Sequence, residues 1–203
     1  MKGYYFITDA GLSAAGVMSD VENAVASGVA VIQYRNKSAE TRALYDEARR
    51  IAEICTGTGS LFVINDRVDI ALAVGAGGVH IGTDDLPYRE ARRILGRDRI
   101  IGVTVHTVSE AREAESMGAD YLGVSPVFAT GTKADAGAPC GVAVLSEIRR
   151  ACSVPLVAIG GIDLSNAGEV IAAGADMVCA ISAVVTKPDV KAEILKFQRK
   201  FGI

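Results

Sequence analysis

The stretch Phe62–Pro87, FVINDRVDIALAVGAGGVHIGTDDLP, decides the fold. An apolar strand, Leu61 to Ile64, runs into the polar pair Asn65-Asp66. A short helix follows and ends near Gly75, then a second strand, Gly78 to Ile81, leads to another acidic pair, Asp84-Asp85. Strand, helix and strand in this order make a right-handed βαβ unit with parallel strands. Each acidic pair sits just past the C-terminal end of its strand. Parallel neighbours lie about 4.8 Å apart, so carboxylates at their ends can share one divalent cation. Mg²⁺ takes oxygen ligands, commonly one or two carboxylates completed by substrate phosphates.

The same unit recurs along the chain. Apolar runs stand at Tyr4–Thr8, Ala30–Tyr34, Leu61–Asn65, Gly78–Ile81, Ile100–Val103, Tyr121–Val124, Leu156–Ile159 and Met177–Ala180, separated by segments of helical period. Ser19 with Glu22, and Thr107 with Glu110, have the spacing of capping boxes at helix starts. Pro87 falls where a first helical turn should be, and Gly28, Gly96, Gly118 and Gly174 fall where helices should stop. A weak repeat places Gly28, Gly75, Gly118 and Gly174 ahead of the even-numbered strands, at spacings of 47, 43 and 56 residues. Four βαβα quarters predict a compact (β/α)₈ TIM barrel forming a single domain over residues 1–203. The alternative, a doubly wound open sheet, should carry a glycine-rich first turn, which Asp9-Ala10-Gly11-Leu12 is not.

Aligning the repeat glycines sets Gln33, His80, Gly123 and Cys179 five residues after them, and Arg35, Gly82, Ser125 and Ile181 seven after. Side chains alternate along a strand, so both sets share one face. Arg35 is charged and lies beyond its apolar run, which makes that face the inside of the barrel mouth.

Composition narrows the function. Half of the 203 residues are hydrophobic and the mean hydropathy is +0.29, enough for a large core. No apolar run reaches bilayer length, and MKGYYFITD enters a strand directly, which leaves no room for a leader and predicts a cytoplasmic protein without a membrane partner. A net charge of −3 with no basic run gives no footprint for nucleic acid. Cys55, Cys140, Cys152 and Cys179 lack C-x-x-C spacing and read as reduced thiols. Small-molecule substrates are the expected partners, and a homo-oligomer stays open.

Barrels of this kind carry their active sites at the C-terminal ends of the strands, often with phosphate after strands seven and eight. There the second strand delivers Gln33, Arg35 and Lys37. The third and fourth deliver Asn65, Asp66, His80 and Asp85, and the fifth Thr104 and His106. The loop after the sixth carries Ser125 through Thr130, Thr132 and Lys133, a stretch to Gly141 long enough to serve as a lid. The seventh strand ends in Gly160-Gly161 and the eighth in Ile181-Ser182. Cations and carboxylates converging from separate strands suit a diphosphate with its metal: Arg35 can grip oxygens bidentately, while Lys37 and Lys133 act as point charges. Plainer readings stand beside these. Asp66 and Asp85 precede helices and could be N-caps. Gly160-Gly161 could be a tight turn, and Lys37 a solvated lysine. His80 and His106 could be ordinary packed histidines.

In this order the residues resemble the thiamine phosphate synthase family over nearly the whole chain, from Tyr5-Phe6-Ile7-Thr8-Asp9 to Ile181-Ser182. The most specific parts are Gln33-x-Arg35-x-Lys37, Ile64-Asn65-Asp66-Arg67 with Gly78-Val79-His80-Ile81-Gly82-x-x-Asp85, and Thr130-x-Thr132-Lys133. The resemblance implies Mg²⁺-dependent transfer of a 4-amino-2-methyl-5-pyrimidinylmethyl group from its diphosphate to a thiazole phosphate. It assigns Gln33, Arg35, Lys37, Asn65 and Lys133 to the pyrimidine diphosphate and Asp66 and Asp85 to Mg²⁺. Thr130 and Thr132 fall to the thiazole side, and Gly161, Ile181 and Ser182 to its phosphate. Thr104 stands where the family usually has Ser, keeping the hydroxyl, and Ala129 where it usually has Pro. Arg35, Lys37, Thr104 and Lys133 are the expected catalytic group, with His80 as a substrate contact. The amino group can feed electrons into the pyrimidine, so a carbocation-like route is expected, with no side-chain nucleophile. A related thiazole tautomerase would lose the diphosphate grip, and a non-catalytic phosphate-binding barrel would have little use for two carboxylates beside an anion.

Overall fold

The computed structural model describes residues 1–132 and 137–203. Its elements follow in order: β1 (Gly3–Ile7), α1 (Val17–Ala26), β2 (Val31–Tyr34), α2 (Thr41–Cys55), β3 (Leu61–Asn65), α3 (Val68–Ala73), β4 (Gly78–Ile81), α4 (Tyr88–Leu95), β5 (Ile100–Val105), α5 (Val108–Met117), β6 (Tyr121–Val124), α6 (Gly141–Ala151), β7 (Leu156–Ile159), α7 (Ala167–Ala172), β8 (Met177–Cys179), α8 (Ile181–Val185) and α9 (Val190–Lys200). The strands are parallel and close into a barrel in sequence order, β1 pairing with β8 through Gly3–Met177 and Tyr4–Val178.

The strands are Val- and Ile-rich because both faces are covered, by side chains inside and helices outside. The helices bury one stripe each: in α2 it is Leu44, Ala48, Ile51 and Cys55, spaced by three and four residues. Gly118 ends α5 in the left-handed conformation, and the Thr107 side chain caps its start by accepting from the Glu110 N–H. Inside the barrel, small residues make room for large ones. A Cβ on Gly102 would come within 2.0 Å of the ring of Tyr121, its partner in register, and one on Gly123 within 2.9 Å of His80 Cε1. At the seam, buried Gln198 of α9 accepts a hydrogen bond from the Tyr4 N–H at 2.9 Å and donates to the Gly28 carbonyl at 3.4 Å.

Four local expectations are corrected. α1 starts at Val17 after Gly16, so Ser19 and Glu22 lie inside the helix and form no capping box; burial of Val17, Asp20 and Val21 draws the first turn in earlier. Pro87 precedes α4 rather than opening it. β5 runs on to Val105, which puts Thr104 on the strand, paired with Gly123. Ile181 and Ser182 do not end β8; the strand stops at Cys179, and they form the first turn of α8.

Candidate active site

β3 and β4 end side by side, with Asn65 opposite His80 in register. Asp66 follows at φ 62°, the one non-glycine residue with positive φ among those described. Its N–H donates to the His80 carbonyl at 2.8 Å, so the strand pairing continues one residue past β3 while the backbone turns. Asp85 is held by the Gly82 N–H, which donates to its Oδ2 at 2.7 Å. Neither aspartate caps a helix: the residues that precede α3 and α4 are Arg67 and Pro87, and neither helix start receives a side-chain cap.

The two carboxyls lie against one another. Burial, then the neighbouring Asp85, push the Asp66 carboxyl up from 3.8 to about 6, and Lys37 pulls it part of the way back. Lys37 Nζ stands 3.3 Å from Asp66 Oδ2 with its side chain half exposed. These three residues line a cavity of about 160 Å³ with Asn65, His80, Gly82, Thr83, Asp84, Thr104, His106 and Ser125. Two adjacent carboxyls of this kind are stable with a proton or a cation between them. An all-oxygen donor pair open to a cavity fits a hard divalent ion that keeps water and phosphate in its remaining positions.

Arg35 approaches from β2. Its guanidinium lies 3.7 Å from Asp9 Oδ2 and is 13% exposed, while its buried Nε has no hydrogen-bond partner among the described residues. Such a donor is ready for an anion. Gln33 sits deeper, 2% exposed, donating to the Tyr5 hydroxyl at 2.8 Å. It lines an inner pocket with His80, Thr104 and Tyr121 rather than the Lys37–Asp66 cavity.

Across the mouth is a second, smaller cavity, lined by Ser125, Thr130, Thr132, Gly160, Gly161, Ile181 and Ser182. Gly160 and Gly161 have φ of 101° and 62°, and a Cβ on Gly161 would come within 2.5 Å of the Ala129 carbonyl. Only glycine fits such a turn, and backbone N–H groups with the first turn of α8 suit an anion. Ser125 lines both cavities, and its carbonyl accepts from His106 Nδ1. His106 is thereby drawn into the site wall, with its own N–H bound to Glu110 at 2.6 Å. Lys133 lies outside the described residues, as does part of the expected lid.

Sequence reasoning did not single out Asp9, Tyr5 or Tyr121. Tyr121 had a signal: it stands three residues after Gly118, on the same inward stripe as Gly123 and Ser125.

An acidic pair beside cations on one arc of the rim, and a glycine-built turn on the other, are the features a phosphate-handling (β/α)₈-barrel enzyme needs. The family model for thiamine monophosphate synthase (TMP-TENI) matches residues 4–184, and the chain belongs to that family. It is 50% identical over 194 residues to the thiamine-phosphate synthase of Methanosarcina mazei, spanning 96% of this chain and 80% of that one. It is 49% identical to that of Chloroflexus aurantiacus, over 93% and 87%. The solved structure of thiamine phosphate pyrophosphorylase from Pyrococcus furiosus superposes with a TM-score of 0.91 at 38% identity, covering 98% of this chain and 95% of that one. The chain is accordingly a transferase acting on small molecules. Among the described residues, no helix is long and apolar enough to cross a membrane.

Proposed function

We propose that this chain joins the pyrimidinylmethyl group of 4-amino-2-methyl-5-pyrimidinylmethyl diphosphate to a thiazole phosphate, releasing pyrophosphate. The observation that carries this reading is the pair of abutting carboxyls, Asp66 and Asp85, with Lys37 at 3.3 Å from the first. Asp66 and Asp85 would hold Mg²⁺, which would supply charge neutralisation for the departing diphosphate. Arg35, Lys37 and Lys133 bind the diphosphate oxygens, and the unpaired Nε of Arg35 gains its partner there. Gln33, Asn65 and His80 position the pyrimidine, with the Thr104 hydroxyl at the edge of both pockets. Thr130, Thr132, Gly161, Ile181 and Ser182 hold the thiazole phosphate on the opposite arc, so that the thiazole faces the carbon that loses diphosphate. The bond to diphosphate breaks ahead of the new bond, because the amino-pyrimidine can carry positive charge and the fixed cations favour the leaving anion. No residue needs to act as a nucleophile; positioning carries much of the rate.

The test is pyrophosphate release with each substrate alone and with both, in Mg²⁺ and in chelator. Release that requires both substrates and the metal supports the proposal. Release without the thiazole phosphate at the same rate, or indifference to chelator, overturns it.

A further inference from the structure

A run of hydrogen bonds crosses the barrel interior beneath the site. The Gln33 amide nitrogen donates to the Tyr5 hydroxyl at 2.8 Å. The hydroxyls of Tyr5 and Tyr121 are 2.7 Å apart, Tyr121 Oη is 3.1 Å from His80 Nδ1, and His80 Nε2 is 2.9 Å from Thr104 Oγ1. Tyr5, Tyr121 and Gln33 are 1%, 0% and 2% exposed, so bulk water is kept from the inner links.

The donor inventory gives the run a direction. An amide nitrogen only donates, and each phenol has one hydrogen. Tyr5, accepting from Gln33, spends its hydrogen on Tyr121, and Tyr121 spends its own on His80 Nδ1. The imidazole hydrogen is then on Nε2 and goes to Thr104. The Thr104 hydroxyl, already accepting, has its hydrogen left for a group in the cavity it shares with Lys37, Asp66 and Asp85. Burial raises both phenols above their usual range, which keeps them neutral donors.

We propose that Tyr5 and Tyr121 are positioning residues that lock His80 as its Nε2–H tautomer and so make Thr104 a hydrogen-bond donor toward the departing diphosphate. The recipient rests on the function proposed above; the tautomer does not. His106 supplies an internal contrast: a carbonyl can only accept, so its contact with Ser125 requires the hydrogen on Nδ1. The chain's two histidines are thus held in opposite tautomers.

Long-range ¹H–¹⁵N correlation on the metal-free protein reads this directly, with His106→Gln to assign the signals. The expected result is a pyridine-like Nδ1 and pyrrole-like Nε2 for His80. The reverse would mean that the run starts from a Gln33 oxygen and Thr104 donates into the protein, which overturns the proposal. Tyr121→Phe keeps the ring and removes the link. It should let His80 populate both tautomers and lower kcat roughly tenfold, the order of one hydrogen bond, with KM for the diphosphate little changed. Tyr5→Phe should give the same tautomer signature more weakly. In a Thr104→Val background the Tyr121→Phe loss in kcat should vanish; full additivity, or an unchanged tautomer in Tyr121→Phe, sinks the assignment. A protein with no transferase activity would fail the proposed function while leaving the tautomer measurement intact.

Discussion

Asp66 combines two uncommon properties, a left-handed backbone and a half-buried carboxyl pressed against another. Asparagine tolerates positive φ where alanine pays roughly 1–2 kcal/mol. Asp66→Asn should therefore abolish transfer without lowering the melting temperature, whereas Asp66→Ala should abolish transfer and melt at lower temperature than Asp66→Asn. Activity assays paired with thermal melts separate the two; retained turnover in either variant would remove Asp66 from the metal site. The raised carboxyl adds a pH signature. A group with its folded pKa above the ordinary value holds its proton more tightly when folded, so its contribution favours the fold at low pH and is lost as pH rises. For Asp66 that window runs from 3.8 to about 6. Metal-free protein should lose stability relative to Asp66→Asn across it, and Mg²⁺ should restore the difference above pH 6. The sequence shows why Asp66 and Asp85 are near each other, since both follow neighbouring strands. It does not show the positive φ of an aspartate, which is set by the strand pairing that continues through its N–H to His80.

Among the elements, strands were the most legible, because apolar runs bounded by glycines have few other readings. Helix starts were less so. Ser19 and Glu22 match a cap by spacing, yet the tertiary burial of Val17 moves the start upstream. The end of β8 was misplaced because Ile181 is apolar in either a strand or a helix; its role in the wall comes from the first turn of α8. The β7–α7 connection makes a sharp prediction. A Cβ on Gly161 meets the Ala129 carbonyl and Phe128, so Gly161→Ala should push the loop after β6 away from the anion cradle. KM for the thiazole phosphate should rise by about tenfold or more, and by more than the diphosphate KM, which depends on that loop through Lys133 alone. Equal effects on both would count against separate subsites. The inner hydrogen-bonded run was illegible for a different reason: it joins β1, β2, β4, β5 and β6, and no local spacing reports a contact between residues 5 and 121.

At the scale of the whole molecule, the barrel is closed by its two ends. Gln198, near the C-terminus, satisfies the N–H of Tyr4 at the start of β1. Gln198→Leu should leave that N–H buried and unpaired, costing about 1–3 kcal/mol, read as a lower denaturant midpoint with kcat unchanged at low temperature. Loss of activity without loss of stability would place Gln198 in some other role. A core of Val, Ile, Leu and Ala suits this architecture, a parallel sheet buried on both faces. The closure by a side chain of α9 could not be foreseen from it.

The two cavities sit on different arcs of one rim, the first served by β2 to β5 and the second by β6 to β8. Ser125 is their shared border post. Under the proposed assignment the acceptor is read by the second half of the polypeptide and the donor by the first, with Lys133 alone reaching across to the diphosphate. Acceptor preference is then open to retuning by grafting the loops of the last two staves from a relative, with Lys133 and the rest of the diphosphate machinery left untouched. A chimera of that kind would inherit its taste for the thiazole from one parent and its metal appetite from the other.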